Sequence, residues 1–139
     1  MVLGCDSVLE FGGTILGKPL DNADATARWR SLRGSSGTLH TGHCLINVDD
    51  GKLAELATAT TVHFADITDE EIASYVDTGE PLHVAGAFTI DGLGGWFVDR
   101  IEGDAGTVIG LSLPALRRLL AEHGTTIADL WSGGLPSTQ

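Results

Sequence analysis

The chain has 139 residues, 42% of them hydrophobic and 19% charged, and a formal net charge of −11. This length suits a single globular domain with a sizeable core. The acidity argues against a nucleic-acid polymer as partner, because such binding depends on neutralising phosphates, but it is compatible with one small phosphate ligand. The sequence has no apolar run long enough for a membrane span and no signal-peptide pattern, so we expect a cytoplasmic protein without a membrane partner.

The opening stretch contains the first two candidate functional residues. Apolar pairs on both sides of Asp6 predict a short buried strand, and Gly12-Gly13 predicts a turn. Lys18 follows in a Gly-Lys-Pro turn. A carboxylate inside an apolar strand is costly unless it is paired or used. Asp6 and Lys18 are therefore expected to face each other, either as an ion pair, which the residues alone favour, or as a base and a phosphate clamp in one pocket.

The next part of the sequence predicts a helix followed by a β-hairpin. Ala25, Trp29 and Leu32 have the spacing of one helix face, and an Asp-Gly pair between two apolar runs is a hairpin signal. The second apolar run is long, so we expect a bulge or bend within it. The predicted elements are a helix over 23–33, a strand over 39–48, a turn at Asp50-Gly51 and a strand over 53–67.

Two further helices, a glycine-rich loop and one strand complete the pattern. Thr68 and Glu71 form a capping box at the start of a short helix, and several glycines mark the loop that follows it. The order of the elements predicts an α/β fold of the mixed α+β kind, with a mixed twisted sheet flanked by helices. The remaining elements are a helix ending at Gly79, a loop over 80–95, a strand over 96–102, a loop over 103–110, a helix over 114–123, an amphipathic turn over 127–131 and a fraying end over 133–139.

The histidines and cysteines form no strong metal or redox motif. His40 and His43 have an HxxH spacing, but in a strand this odd spacing sends the two side chains to opposite faces. Structural roles are therefore favoured over a metal site, which needs convergent ligands. Cys5 and Cys44 form no CxxC motif and lie in apolar contexts, which predicts reduced core thiols.

The glycine loop around Asp91 differs from the known phosphate-binding loops in its position. It precedes a strand, whereas a dinucleotide-binding glycine motif follows a strand and opens a helix. Its glycines would still allow the backbone to approach a nucleotide base. Asp91 would then read a base edge or simply cap the turn, and the residues alone favour the turn.

Several motifs together resemble the Maf family of nucleoside triphosphate pyrophosphatases, which is linked to inhibition of septum formation. Gly4-Cys5-Asp6-Ser7 is similar to the family's Gly-Ala-Asp-Thr segment, and Gly17-Lys18-Pro19 to its Gly-Lys-Pro turn. The match runs in the family's order from about Val2 to Leu120, with an actinobacterial variant around Trp96–Asp99. The other matching segments are Thr41-Gly42, Thr60–Thr68, Gly79-Glu80-Pro81, Ala85–Gly95 and Val108–Pro114.

The resemblance implies a Maf/ITPase-like domain over residues 1–124, followed by a tail over 125–139. It implies hydrolysis of a (d)NTP or modified nucleotide to the monophosphate and diphosphate, with a divalent cation, Mg²⁺ or Mn²⁺. The nucleoside triphosphate would be the partner, and a homodimer is a candidate assembly.

The resemblance also assigns roles to four residues. Asp6 corresponds to the family's proton acceptor and is a candidate metal ligand. Ser7 and Asp91 fall on specificity positions, where the family has Thr and Gln, and Lys18 is the lysine of the Gly-Lys-Pro turn. Ser7, Lys18 and Asp91 are thereby implied to bind substrate. The two departures leave the base preference open, because Asp91 replaces an amide donor with a negative charge.

A Ser-x-Ser-Pro-Arg-Arg loop of the family is not found in these 139 residues. Its two arginines would be strong phosphate clamps because of their fork geometry. We therefore expect an N-terminally truncated domain with weak or no activity, whose first strand lacks sheet partners. Two functions stay open: a house-cleaning pyrophosphatase, or a catalytically impaired remnant that acts as a nucleotide-binding or cell-division regulatory module.

Overall fold

A computed structural model of the chain describes residues 1–134. Its five strands form one sheet in the order β2-β1-β3-β4-β5. The strands are β1 (Val2–Phe11), β2 (Thr14–Leu16), β3 (Ser36–Ile46), β4 (Leu53–Phe64) and β5 (Val98–Glu102). The helices are α1 (Asn22–Leu32), α2 (Asp69–Asp77), α3 (Ala105–Ile109), α4 (Leu113–Glu122) and α5 (Ile127–Asp129). Short 3₁₀ turns cover Glu80–His83, Ala85–Ala87 and Leu93–Phe97, and a π-type turn covers Leu130–Gly134.

The predicted α+β architecture is confirmed, but the described sheet is antiparallel throughout rather than mixed. The connections explain this difference. A tight turn at Gly12-Gly13, with both residues at positive φ, joins β1 to β2, and a turn at Asp50-Gly51 joins β3 to β4. Hairpin connections of this length can join only antiparallel neighbours.

Strand β3 shows that the sheet has one buried face and one open face. Leu39, Thr41, His43 and Leu45 are buried, whereas the residues between them are half-buried or exposed. Successive side chains of a strand point to opposite faces, so the buried set marks the face on which the helices pack. Among residues 1–134, none of the helices is long and apolar enough to cross a membrane.

Trp29 of α1 lies at the centre of the larger core cluster. Its ring packs edge-to-face on Phe64, Tyr75 and Phe97, with centroid separations of 5.5, 5.7 and 5.9 Å. Its indole Nε1 donates to the Ala87 carbonyl oxygen at 2.7 Å. One fully buried side chain therefore connects α1, β4, α2 and the glycine loop.

The predicted helix boundaries with strong capping signals are confirmed. Asp21 caps α1 by accepting from the Asp24 amide, and Thr68 and Glu71 form both bonds of the predicted capping box. The bulge expected in the long strand lies at its end, at the register shift between His63 and Phe64. These features depend on neighbouring residues, which is why the sequence signals them.

Four local predictions differ from the structure. The first strand was expected to lack sheet partners, but β1 pairs with both β2 and β3. Strand β1 is long rather than short, and Leu9 is its only buried residue, because one side of the strand faces the open surface. Cys5 is exposed and Cys44 half-buried, so the prediction of core thiols is wrong, although both thiols are free. The predicted loop over 103–110 contains α3, which Asp104 caps by accepting from the Gly106 amide.

The predicted division into a domain over 1–124 and a tail over 125–139 stays a prediction. Ile127 and Leu130 pack against the smaller core cluster, which contains Leu45 and Leu119. The predicted fraying over 133–139 falls largely outside the described residues, which end at 134.

Replacing Trp29 should destabilise the fold in two separable ways. We expect Trp29→Phe to keep most of the aromatic packing but leave the buried Ala87 carbonyl without its donor, at a cost of about 2 kcal/mol. Trp29→Ala should cost more, about 3–5 kcal/mol, because it also leaves a cavity. Urea unfolding measures both effects. The matched control is Trp96→Phe, since that side chain is 83% exposed; equal midpoints for the two Phe variants would contradict the expectation.

Candidate functional site

Ser7 and Asp91, far apart in the sequence, line one small pocket. Its volume is about 100 Å³. Ser7 comes from β1, and Asp91 comes from the glycine loop that precedes β5. Thr89 is the third polar side chain of the lining. The apolar part of the wall consists of Leu39, Val84, Ala85, Phe88, Val108 and Ile109.

Hydrogen bonds that Glu80 and Tyr75 accept hold the glycine loop in place. A Glu80 carboxylate oxygen, Oε1, accepts from the Thr89 hydroxyl and from the Leu93 amide, the latter at 3.2 Å. The Tyr75 hydroxyl accepts from the Thr89 amide at 3.3 Å. Burial and the nearby Glu80 charge raise the pKa of Tyr75, so its hydroxyl stays protonated at neutral pH.

The close approach of this loop to Tyr75 and Glu80 requires glycine. A Cβ atom at Gly94 would collide with the Tyr75 hydroxyl, and one at Gly92 would collide with the Glu80 carboxylate. The glycines therefore place the loop close to α2, and Asp91 directly precedes Gly92 in the sequence. The predicted close backbone approach is confirmed, but it is toward protein side chains.

The Ser7 hydroxyl is part of a buried network of polar groups. The Ser7 hydroxyl lies 2.8 Å from the Thr41 hydroxyl, which donates to the Thr107 carbonyl oxygen at 2.7 Å. The Thr107 hydroxyl in turn contacts Thr58 at 2.7 Å and Asp104 at 3.3 Å. Thr41 and Thr107 are fully buried, so these bonds satisfy groups that water cannot reach.

Asp6 lies on the other face of the sheet from this pocket. It is next to Ser7, and neighbouring residues of a strand point to opposite sides. Its side chain is exposed, beside Gly42 and Glu55 in an open surface groove, and its Oδ1 accepts from the Ser7 amide at 3.0 Å. The prediction of a buried Asp6 is therefore wrong, since the open face of the sheet leaves the carboxylate in solvent.

Lys18 does not pair with Asp6 within the described residues, so the predicted ion pair is absent there. Lys18 is exposed in the turn between β2 and α1. Arg28 holds this turn by donating to the carbonyl oxygens of Gly17 and Lys18. The Gly86 amide also donates to the Gly17 carbonyl, at 3.3 Å. The turn is thus attached to the segment that forms the pocket wall.

The two HxxH histidines lie on opposite faces of β3, as their odd spacing predicts. His43 is buried; its Nε2 accepts from the Ser112 amide at 2.9 Å, and its Nδ1 lies 3.2 Å from the Leu56 carbonyl oxygen. Both ring nitrogens are therefore engaged. His40 contacts Glu10 at 2.9 Å on the open face. Nowhere in residues 1–134 do three His, Cys, Asp or Glu side chains converge as a metal site would need.

Sequence reasoning missed Thr41, Glu80 and Thr89 as contributors to the site. One signal was available for Thr41: it lies two residues after Leu39 in a strand, so both side chains must point to the same face. Glu80 and Thr89 gave no comparable signal. Their roles depend on a hydrogen bond across the folded loop.

The fold and the pocket define a class of α+β proteins with a small pocket beside a glycine loop. The family model described as "Maf-like protein" matches residues 1–123. The chain therefore belongs to the Maf family, as its motifs predicted.

Relatives of this chain are named nucleoside triphosphate pyrophosphatase. The protein of Salinispora tropica is 67% identical over 134 residues, which are 96% of this chain and 59% of the relative. That of Streptomyces coelicolor is 57% identical over 132 residues, 95% of this chain and 64% of the relative. That of a Cyanothece species is 57% identical over 131 residues, which are 94% of this chain and 67% of the relative. The chain thus spans about three-fifths of the length of the first two relatives.

The Asp104 carboxylate should make the polar network sensitive to acid. Hydrogen bonds from Ser112, the Gly106 amide and Thr107 hold the pKa of Asp104 below its ordinary value of 3.8. A carboxyl whose pKa is lower in the folded state stabilises the protein at any pH above its unfolded-state pKa. This stabilisation is lost as the pH falls through the folded-state pKa. Asp104→Asn should therefore lower the urea midpoint at pH 7, with the difference shrinking toward pH 3.

The matched control for this experiment is Asp99→Asn. Asp99 is exposed on β5, outside the network, so we expect a small midpoint change that stays the same at both pH values. Wild-type midpoints for Asp104→Asn at pH 7 as well as pH 3 would contradict the role of the carboxylate.

Proposed function

We propose that this chain is the larger part of a nucleoside triphosphate pyrophosphatase. Such an enzyme hydrolyses a (d)NTP or modified nucleotide to the monophosphate and diphosphate. The observation that carries the proposal is membership of the Maf family together with 57–67% identity to proteins of that name. The pocket shared by Ser7 and Asp91 supports it, because both fall on positions that the family uses for specificity.

Asp6 is the proposed proton acceptor. Its exposed carboxylate is open to water on the outer face of β1, and a positioned carboxylate can take the proton of an attacking water. The oxygen of this water forms the new bond to the α-phosphorus. The bond from that phosphorus to the bridging oxygen breaks, and the diphosphate leaves. The Ser7 amide, at 3.0 Å, fixes one oxygen of Asp6 and leaves the other for the water.

Lys18 is the proposed phosphate contact. Its ammonium group makes no ion pair within residues 1–134, and its turn is held by Arg28 and Gly86. A backbone held by hydrogen bonds and an exposed cationic side chain suit a triphosphate, whose negative charge increases on the leaving oxygens. In a chain of net charge −11, such a local cation is needed to attract an anionic ligand.

A divalent cation, Mg²⁺ or Mn²⁺, is part of the proposal. The described residues offer the Asp6 carboxylate for it, with Glu55 in the same groove, in line with the way Mg²⁺ binds through one or two carboxylates plus substrate phosphates. Bound there, the ion would neutralise phosphate charge.

The alternative function is a nucleotide-binding or cell-division regulatory module without catalysis. The observation that favours it is the separation of the site: Asp6 and the pocket of Ser7 and Asp91 lie on opposite faces of the sheet. In either case we propose a cytoplasmic protein whose partner is a nucleotide, not a nucleic-acid polymer. The homodimer stays a prediction.

Pyrophosphate release from a panel of nucleoside triphosphates, with Mg²⁺ or Mn²⁺, tests the proposal. We expect equal amounts of monophosphate and diphosphate from at least one substrate. Asp6→Asn should lower kcat by about a hundredfold or more, because it removes the proton acceptor but keeps the shape of the side chain.

The control is Asp77→Asn, an exposed carboxylate on α2 that should leave kcat unchanged. Full activity of Asp6→Asn would exclude Asp6 as the base. Binding of nucleotides without any release of diphosphate would support the regulatory module instead.

A further inference from the structure

The pocket of Ser7, Thr89 and Asp91 contains three polar side chains whose hydrogen-bonding capacity can be worked out. A hydroxyl has one proton to donate and two lone pairs with which to accept. Once its proton is committed to a neighbour, it can offer a ligand only its lone pairs. The partners of Ser7 and Thr89 therefore decide what kind of ligand edge the pocket can take.

The proton of Ser7 points away from the pocket. The Thr41 hydroxyl lies 2.7 Å from the Thr107 carbonyl oxygen, and since a carbonyl can only accept, Thr41 must donate to it. Thr41 then has no proton left for Ser7, whose oxygen is 2.8 Å away. Ser7 must be the donor in that pair. Its two lone pairs are what it can present to a ligand.

Thr89 is committed in the same way. Its hydroxyl contacts Glu80 Oε1, and that same oxygen accepts from the Leu93 amide at 3.2 Å. A carboxylate oxygen can only accept, so Thr89 is the donor. Asp91 adds a carboxylate, which offers acceptor oxygens where the family's glutamine would offer an amide donor as well.

The size and walls of the pocket suit one edge of a flat ring. Its volume of about 100 Å³ is below the ~300 Å³ or more of sites that enclose a whole small molecule. The buried side chains of Leu39 and Phe88 form apolar walls. A ring edge that enters between them would meet the three acceptors.

We propose that this pocket selects nucleotides by their hydrogen-bond donors, with the amino edge of a base as the preferred ligand. The inference rests on the proposed function for the nature of the ligand. Thr41 and Glu80 are positioning residues in it, because they fix the polarity of Ser7 and Thr89. A carbonyl edge would oppose lone pairs to lone pairs and leave these acceptors unpaired, which disfavours its binding.

Titration calorimetry with monophosphates tests this without requiring hydrolysis. CMP and UMP differ at one ring edge, where cytosine has an amino group and uracil a carbonyl. We expect CMP to bind at least about tenfold more tightly than UMP. Ribose hydroxyls are a second source of donors, so dCMP is included; equal affinities for CMP and UMP together with a loss of affinity for dCMP would assign the donors to the sugar and overturn the inference about the base.

Two variants should weaken the preference by different routes. Asp91→Asn supplies an amide donor from an exposed loop and should reduce the CMP to UMP ratio several-fold. Thr41→Val removes the acceptor that holds the Ser7 proton, so Ser7 can turn and donate to a carbonyl. Thr41→Ser keeps that hydroxyl and should keep the wild-type ratio.

Thr58→Val is the matched control for Thr41→Val. It removes a hydroxyl from the same network, where Thr58 contacts Thr107 but not Ser7. Loss of stability without a change in the CMP to UMP ratio is the expected result. An equal change in ratio for both valine variants would mean that network damage, not the Ser7 proton, sets the preference, and would overturn the positioning role of Thr41.

The outcomes separate this inference from the proposed function. Equal binding of CMP and UMP, tighter binding of UMP, or binding of neither overturns the inference. Diphosphate release from CTP and UTP at equal rates would do the same while the pyrophosphatase proposal survives. A clear preference for CMP, with no diphosphate released from any triphosphate, would support the inference and reject the catalytic proposal.

Discussion

The alternation of side chains along β1 and β3 determines which groups of this protein can act together. Ser7 faces the helices and meets Thr41, its direct cross-strand neighbour. Asp6, one residue earlier, faces the open side. A shift of one residue in the pairing of β1 would exchange the two. The long register of β1 with β3, from Val2 to Glu10, fixes this choice.

Hydrogen bonds between different elements fix the arrangement of the structure on the buried face of the sheet. Trp29 connects α1 to the Ala87 carbonyl, and Ala87 has a positive φ of 69°, a conformation unusual for a residue with a side chain. Gly86 before it donates to the Gly17 carbonyl. Core packing, the glycine loop and the Gly-Lys-Pro turn are therefore parts of one connected structure.

The sequence predicted the features that depend on near neighbours. The apolar face of α1, the capping box at Thr68 and the turn at Asp50-Gly51 are all confirmed, since each is specified within a few residues. Helix α3 was missed, because a five-residue helix is too short to show a helical period and depends on the cap at Asp104. The open face of β1 was also missed, since an apolar strand gives no sign of what covers each side.

The site was predicted in part, and the missing part has a physical reason. The family motifs identified Ser7 and Asp91 individually, and the structure brings them to one pocket. Their hydrogen-bond polarity depends on the Thr107 carbonyl and on Glu80, which reach them only in the folded chain. The expected pairing of Asp6 with Lys18 assumed that a turn returns the lysine to the carboxylate. Instead, Arg28 of α1 holds that turn by donating to the carbonyl oxygens of Gly17 and Lys18.

The bond from Trp29 to the glycine loop also gives the protein an internal optical probe. The indole is fully buried and its N–H is bound to the loop backbone at Ala87, so its emission depends on whether the loop stays in place. Trp96 and Trp131 are 83% and 71% exposed and emit from a solvent environment. Movement of the loop on ligand binding would therefore change the blue-shifted part of the fluorescence spectrum, without any added label.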